Sequence, residues 1–254
     1  TPLSGTFYFL PIILILFYWL KIEVLIVCIS FFVLGLLSDL KILNSYKLRL
    51  FFQISFLIIL FFINKDLEIY TRLQFLDNLM EFNYSRILIS TFFFLVLING
   101  FNLIDGTNSL CTLNFLIISI FIYLIINKMN ISLANVEFKI FIILIFIFFL
   151  FNFFGLNFLG DGAAYGIGFL LGYFLVNISL IDQSISPYFI ANLFWYPAFE
   201  NLFSIIRRTS KSINNYLPDN KHLHHLIYKY LKKKNIFKKN FILSSSVGLI
   251  INSV

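Results

Sequence analysis

The chain alternates between apolar runs and short polar segments from one end to the other. A helix that crosses a bilayer needs about 20 mostly apolar residues, so the shorter runs are marginal as spans when taken alone. Their number and even spacing nevertheless predict an all-α polytopic membrane protein, folded as a multi-helix transmembrane bundle. The nine runs cover residues 7–20, 24–37, 50–63, 87–101, 110–126, 138–154, 165–181, 188–206 and 241–254.

The composition supports the same class. Of the 254 residues, 60% are hydrophobic and 12% are charged, with a mean hydropathy of +0.92. Soluble domains carry roughly 25% charged residues, so this composition excludes an ordinary soluble protein. Cys28 and Cys111 both lie among apolar residues. We expect them to be buried as small hydrophobic side chains, without forming a disulfide or a metal site.

The extent of the domain follows from the two ends of the sequence. Residues 1–254 read as a single transmembrane domain, with a mixed loop at 64–86 that has room for an amphipathic helix. The sequence begins with TPLSG, without an initiator Met, and it ends inside the apolar run 241–254. We therefore expect it to be cut at both ends.

The distribution of basic residues predicts the orientation. When the loops are assigned alternately to two sides, the segments 38–49 and 207–240 fall on one side together with the turns 102–109 and 155–164. This side carries 13 of the 19 lysine and arginine residues. Loops rich in Lys and Arg face the cytoplasm, so this side is predicted to be cytoplasmic. All the polar motifs discussed below lie on it.

Three of these motifs contain an aspartate at the membrane boundary, namely Asp39, Asp105 and Asp161. Ionisable residues at such positions indicate function, and several carboxylates with nearby amides form an oxygen-rich site that suits Mg²⁺. The glycine-rich turn around Gly160 and Gly162 and the basic loop suit a substrate that carries phosphate. The alternative is that each aspartate only caps a helix.

Three histidines, His222, His224 and His225, follow Asp219 in the long basic segment. They admit three interpretations from the residues alone. They could bind zinc, although no Cys or fourth ligand lies at a familiar spacing. They could belong to a solvated loop, or they could contact phosphate oxygens, since imidazoles can donate hydrogen bonds.

Taken together, the motifs resemble those of one family. NGFNLIDGTN at 99–108 resembles the N-x-x-N-x-x-D-G-x-D/N signature of the polyprenyl-phosphate N-acetylhexosamine-1-phosphate transferases, which form glycosyltransferase family 4. Their F-x-G-D, G-x-x-D-D-L and T-P-x-x-G-G motifs resemble FLGDG at 158–162, GLLSDL at 35–40 and TPLSG at 1–5. PDNKHLHH at 218–225 resembles the form found in WecA-like and TagO-like members, rather than in MraY-like ones.

The resemblance implies a Mg²⁺-dependent reaction, with Mn²⁺ as an alternative ion. Undecaprenyl phosphate would attack the β-phosphate of a UDP-sugar, giving a polyprenyl-pyrophosphate sugar and UMP. This is the first membrane step of cell-surface polysaccharide or cell-wall glycan synthesis, at the cytoplasmic face of the bacterial inner membrane. The expected partners are therefore the polyprenyl phosphate, the UDP-sugar and membrane lipid, with no nucleic acid, and a homodimer is expected as well. Family members have ten or eleven helices, of which about nine would be present.

The resemblance also implies roles for individual residues. Asp39, Asp105 and Asp161 would be catalytic, and Asp161 and Asp105 would hold the metal. Phe158 would stack on uracil, the histidines would contact the diphosphate, and the arginines would contact sugar or phosphate. The implied substrate-binding residues are Asn99, Asn102, Asn108, Phe158, Arg207, Arg208, Asp219, His222, His224 and His225.

Three departures from the family pattern bear on activity. Ser38 replaces the first Asp of the D-D pair, Asn108 replaces the last Asp of D-G-x-D, and Ala163–Ala164 replaces a usual Gly-Ser. They leave a second hypothesis open, in which the protein is a catalytically impaired relative that serves as a membrane scaffold. A transporter is a third hypothesis, but transporters place carboxylates within spans, and here nearly all of them lie at span ends.

Overall fold

The computed structural model of the chain describes its backbone at residues 3–18, 20–65, 67, 69–129, 132–210, 221–235 and 239–253. Within these residues the protein is entirely helical, with twelve helices and no strand. The helices are α1 Ser4–Leu16, α2 Ile22–Asp39, α3 Tyr46–Ile63, α4 Gln74–Met80, α5 Asn83–Ile104, α6 Leu110–Lys128, α7 Ser132–Phe153, α8 Gly160–Ile181, α9 Pro187–Leu193, α10 Trp195–Ser210, α11 Leu223–Lys233 and α12 Asn240–Asn252.

Six of these helices, α2, α3, α5, α6, α7 and α8, are long and apolar enough to cross a membrane, and α1 and α12 are shorter apolar helices. The structure therefore confirms the predicted all-α polytopic membrane fold. A helix suits this environment because it satisfies its backbone hydrogen bonds internally. The short helix α4 lies within the mixed loop at 64–86.

The predicted run 188–206 is not one span. The chain forms two helices instead, α9 and α10, which are separated at Phe194. The run contains Glu200, and the last turn of α10 carries Arg207 and Arg208. Glu200 is almost completely buried inside the protein, so α10 packs its polar face inwards. Local composition had suggested a span because Phe, Leu and Ile cover the opposite face of the same helix.

Helix α8 lies at the centre of the bundle, and 78% of the residues in its apolar stretch are buried inside the protein. It packs against α1, α2, α5 and α6. Its first half, GDGAAYGIG, is built from small residues, and this is the composition that allows membrane helices to approach closely. Around it, phenylalanine side chains fill the core, as at Phe17, Phe138 and Phe174, whose rings contact one another.

The closest approach joins α2 to α8. A Cβ atom added to Gly35 would overlap the backbone of Asp161 and Gly162, and one added to Gly162 would overlap Thr6 and the carbonyl of Phe32. Glycine at both positions therefore lets the end of α2 touch the beginning of α8. Cys28, on α2, and Cys111, on α6, are buried free thiols, as predicted.

Replacement of Gly35 by alanine should destabilise the fold by about 1–3 kcal/mol, because the added methyl group meets backbone atoms that cannot move aside. The effect should appear as a lower thermal unfolding midpoint of the purified protein in detergent. Gly172→Ala is the matched control on α8, since its Cβ would lie 3.2 Å from Cε1 of Phe94 and 3.3 Å from Cδ1 of Leu97, both side-chain atoms. Equal midpoints for the two variants would contradict the assigned α2–α8 contact.

Candidate active site at the beginning of α8

Two aspartates from other helices cap the first backbone N–H groups of α8. Asp105 Oδ2 accepts a hydrogen bond from the N–H of Gly160 at 3.1 Å. Asp39 accepts from the N–H of Asp161 at 3.1 Å and from that of Gly162 at 3.4 Å. The first N–H groups of a helix lack intrahelical partners, and the helix dipole favours negative charge there. Asp39 and Asp105 thus cap α8 from other helices, and these bonds bring all three aspartates to one place.

The side chain of Asp161 joins three further helices. Its Oδ1 accepts a hydrogen bond from Nδ2 of Asn102 on α5 at 2.6 Å. Its Oδ2 accepts one from Oγ of Ser38 on α2 at 2.6 Å and one from Arg49 on α3 at 3.0 Å. Arg49 also donates to Ser38. The side chains of Asp161 and Arg49 are both partly exposed.

Arg49 was not among the residues predicted to form the site, since it had been counted only as a cytoplasmic charge. One signal was available in the sequence. Arg49 lies near the start of the third apolar run, on the side that carries the aspartates. A cation that lies inside a span needs a partner, and the carboxylates at the same boundary were the available ones.

Burial raises the pKa of Asp105 to about 8, and the charges of Asp161 and Asp39 act in the same direction, whereas the hydrogen bond from Gly160 opposes the shift. Burial thus favours the neutral form of this carboxyl as long as no cation is beside it. A cation placed beside it would favour the ionised form, because an opposite charge lowers a carboxyl pKa.

The turn after Asp105 is anchored to α7 and α12. The N–H of Asn108 donates to Oγ of Ser244 at 3.0 Å, and the N–H of Ser109 donates to Oδ1 of Asn152 at 2.6 Å. Oγ of Ser109 donates to the carbonyl of Ser245 at 2.9 Å. Ser109 has a φ of +66°, a conformation that these contacts stabilise. The DGTN turn is thus held rigidly beside the aspartates.

A cavity of about 420 Å³ lies next to this turn. Residues from three of the recognised motifs line it, together with the start of α12. Phe158 is 47% exposed, and its backbone is fixed because Oγ of Ser4 donates to its carbonyl at 2.7 Å and accepts from its N–H at 3.2 Å. The lining residues are Gly106, Thr107, Asn108, Gly155, Phe158, His225, Tyr228, Asn240, Phe241 and Ser244.

The histidine motif packs directly on the same turn. A Cβ atom on Gly106 would lie 2.8 Å from Nε2 of His224 and 3.2 Å from Cε1 of His225. His222 and His224 are 4% and 0% exposed, so the solvated-loop alternative is wrong for both. No group of three or more His, Cys, Asp or Glu side chains among the described residues is placed to hold a metal. The zinc interpretation therefore has no support there.

Two further residues, both missed by sequence reasoning, hold the histidines from α10. Glu200 lies 2.8 Å from Nδ1 of His222 and accepts a hydrogen bond from the N–H of Leu223 at 2.7 Å. The hydroxyl of Tyr196 lies 3.2 Å from Nδ1 of His224. The available signal was a lone Glu in an otherwise apolar run.

The remaining predicted residues lie around the centre of the site. Nδ2 of Asn99 donates to Oε1 of Gln53 at 2.9 Å, one turn before Asn102 in α5. Arg207 donates to the carbonyl of Lys221 at 2.9 Å, beside the histidines, and Arg208 is half-buried next to it. Asp219 lies outside the described residues. The binding and catalytic roles of all these residues stay predictions.

Comparison with known families gives a match to the model described as glycosyl transferase family 4, over residues 21–179. This range is well over half of the chain. The chain belongs to glycosyl transferase family 4. Comparison with curated proteins gives no match.

Membership of family 4 supports a polyprenyl-phosphate sugar-phosphate transferase in general, with a membrane setting. The matched range contains Ser38, the three aspartates and Arg49, whereas the histidine motif and the segment 1–5 lie outside it. Those two segments are joined to the matched range by the contacts of His224 with Gly106 and of Ser4 with Phe158.

Acid should destabilise this family 4 protein partly through His224. Burial lowers the pKa of His224 to about 3, and the neighbouring His225 and His222 act in the same direction. Below about pH 6.5, His224 binds a proton in the unfolded chain but stays neutral in the folded protein. The free energy of unfolding therefore decreases as the pH falls towards the folded pKa.

We expect the thermal unfolding midpoint in detergent to fall between about pH 7.5 and about pH 5, and to fall less in His224→Gln than in the unaltered protein. Glu81→Gln, on the opposite side of the bundle, serves as the control. An unchanged pH dependence in His224→Gln would show that this residue does not titrate as described.

Proposed function

We propose that this family 4 protein transfers a sugar-1-phosphate from a UDP-sugar, a UDP-N-acetylhexosamine, to undecaprenyl phosphate. The products are a polyprenyl-pyrophosphate sugar and UMP, at the cytoplasmic face of the bacterial inner membrane, as the first membrane step of a surface polysaccharide or cell-wall glycan. One observation carries the proposal. The aspartates of three separate motifs meet at the beginning of α8, beside a cavity of about 420 Å³.

The donor set fits Mg²⁺, and Mn²⁺ is the alternative. Carboxylate and amide oxygens meet here, from Asp161, Asp105 and Asn102. Mg²⁺ commonly uses only one or two carboxylates and completes its shell with water and substrate phosphates. The described side chains do not form a three-ligand site by themselves, which suits this mode. Asp161 and Asp105 would hold the ion, which when bound neutralises charge on the diphosphate.

The protein's own residues would bind and orient the nucleotide. The exposed ring of Phe158 offers a flat face for the base at the wall of the cavity. His225 lines the same cavity and can donate a hydrogen bond to a phosphate oxygen. Arg49 adds a planar guanidinium, which pairs with phosphate through two hydrogen bonds. Phe158 and His225 would thus act at the cavity, and Arg49 would act beside Asp161.

The proposed reaction does not depend on a base in the protein to deprotonate the nucleophile. An oxygen of the lipid phosphate forms a bond to the β-phosphorus of the UDP-sugar, and the bond from that phosphorus to the bridging oxygen breaks, releasing UMP. The second pKa of a phosphate monoester is about 6, so the nucleophile is already largely ionised at neutral pH. Ser38 can therefore stand where a carboxylate is usual, since no proton has to be removed.

Membranes containing the protein should release UMP when supplied with Mg²⁺, undecaprenyl phosphate and one of a panel of UDP-sugars. Asp161→Ala should lower this rate by at least about 100-fold, because the variant loses the carboxylate that joins four helices at the site. Asp182→Ala removes a carboxylate at the opposite end of α8 and should leave the rate unchanged.

Failure of every UDP-sugar to yield UMP would refute the transferase proposal. Retained turnover in Asp161→Ala would remove this residue from the metal site while leaving the reaction in place.

The variant Ser38→Asp separates the transferase from an impaired relative. It puts a fourth carboxylate within hydrogen-bond distance of Asp161, where like charges repel. We therefore expect no gain in UMP release over the unaltered protein. Ser38→Ala, which removes the hydroxyl without adding charge, is the matched control. New activity in Ser38→Asp, where the unaltered protein has none, would support the scaffold hypothesis instead.

A further inference from the structure

Glu200 is 2% exposed in the middle of α10. Carboxylates are rarely buried to this extent unless they are paired. Here one oxygen lies 2.8 Å from Nδ1 of His222 and the other accepts the N–H of Leu223 at 2.7 Å. Since α11 begins at Leu223, Glu200 fixes both the first histidine and the beginning of the helix that carries the other two.

Tyr196 extends this contact to His224. Its hydroxyl donates to Oε1 of Glu200 at 3.4 Å and lies 3.2 Å from Nδ1 of His224. An ionised carboxylate only accepts hydrogen bonds, so the tyrosine proton points to Glu200. The hydroxyl oxygen is then free to accept from His224, and this requires the hydrogen of the neutral imidazole to be on Nδ1.

The other ring nitrogen of His224 faces the DGTN turn. Nε2 is buried and has no hydrogen-bond partner among the described residues, and a Cβ on Gly106 would lie 2.8 Å from it. With the hydrogen on Nδ1, Nε2 presents a lone pair to the turn that follows Asp105. The arrangement on α10 thus determines which kind of hydrogen bond His224 can make at the site.

We propose that Glu200 is a positioning residue for the histidine motif, acting directly on His222 and through Tyr196 on His224, so that His224 presents an unprotonated Nε2 beside Gly106. This inference rests on the proposed function for its catalytic consequence, but the tautomer of His224 can be measured without turnover. The residue acts through the histidines and need not touch the substrate.

The direct test is ¹⁵N NMR of the full chain in detergent micelles, with labelled histidine. The chain has three histidines, so single His→Gln variants assign the spectrum. We expect His224 to carry its hydrogen on Nδ1 in the unaltered protein. Glu200→Gln should shift it towards the Nε2-protonated form, and Glu200→Asp should retain part of the original signal.

Tyr196→Phe keeps Glu200 but removes the hydroxyl between it and His224, and it should cause the same shift for His224 alone. It also provides the test if Glu200→Gln does not fold. Glu81→Gln, on the opposite side of the bundle, is the matched control and should leave all three imidazoles unchanged. An Nε2-protonated His224 in the unaltered protein, or a tautomer that is the same in Tyr196→Phe, would overturn the proposal.

Turnover gives the second readout. Glu200→Gln should lower the rate of UMP release by about 10- to 100-fold, the range found when a carboxylate that orients a functional histidine is removed. Glu200→Asp should recover part of the rate, and Tyr196→Phe should cost about fivefold to tenfold, as expected for one hydrogen bond. A Glu200→Gln protein as fast as the unaltered one would overturn the catalytic consequence. If the unaltered protein forms no UMP, the proposed function fails and the NMR result still decides the positioning role.

Discussion

The candidate site depends on the N–H groups at the beginning of α8. These donors have no partner within their own helix, and in an apolar bundle they must be satisfied by other parts of the chain. The protein satisfies them with Asp39 from the end of α2 and Asp105 from the end of α5. Hydrogen bonds from backbone N–H groups to carboxyl groups thereby join α2 and α5 to α8. The same bonds bring together the three aspartates of the candidate site.

The convergence of the three aspartates was predictable, because a membrane confines residues at span ends to one of two faces and the basic residues mark which face they share. The contacts among them were not. Asp39 and Gly162 are 123 positions apart, and no periodicity in the sequence relates residues at such a distance. Family patterns suggested a common site, but only the packing shows that Asp39 and Asp105 accept hydrogen bonds from α8.

Arg49 and Glu200 are site residues that sequence reasoning missed. Arg49 lies next to an apolar run and Glu200 lies within one, and sequence patterns describe such residues only as a boundary charge or as an interruption. Their roles depend on partners that are distant in the sequence. Arg49 pairs with Asp161, and Glu200 pairs with His222. For the same reason the run 188–206 was misread as one span. Most of its residues are apolar, but the buried carboxylate of Glu200 determines which face of α10 packs against the protein.

The bonds between Ser4 and Phe158 couple the earliest described helix to the cavity wall. Ser4 both donates to and accepts from the backbone of Phe158, and the N–H of Gly5 bonds to the same carbonyl. Ser4 and Gly5 thus help to hold the cavity wall that carries Phe158. A change at Ser4 would therefore reach the residue whose ring lies at the cavity wall, although the two positions are 154 residues apart in the sequence.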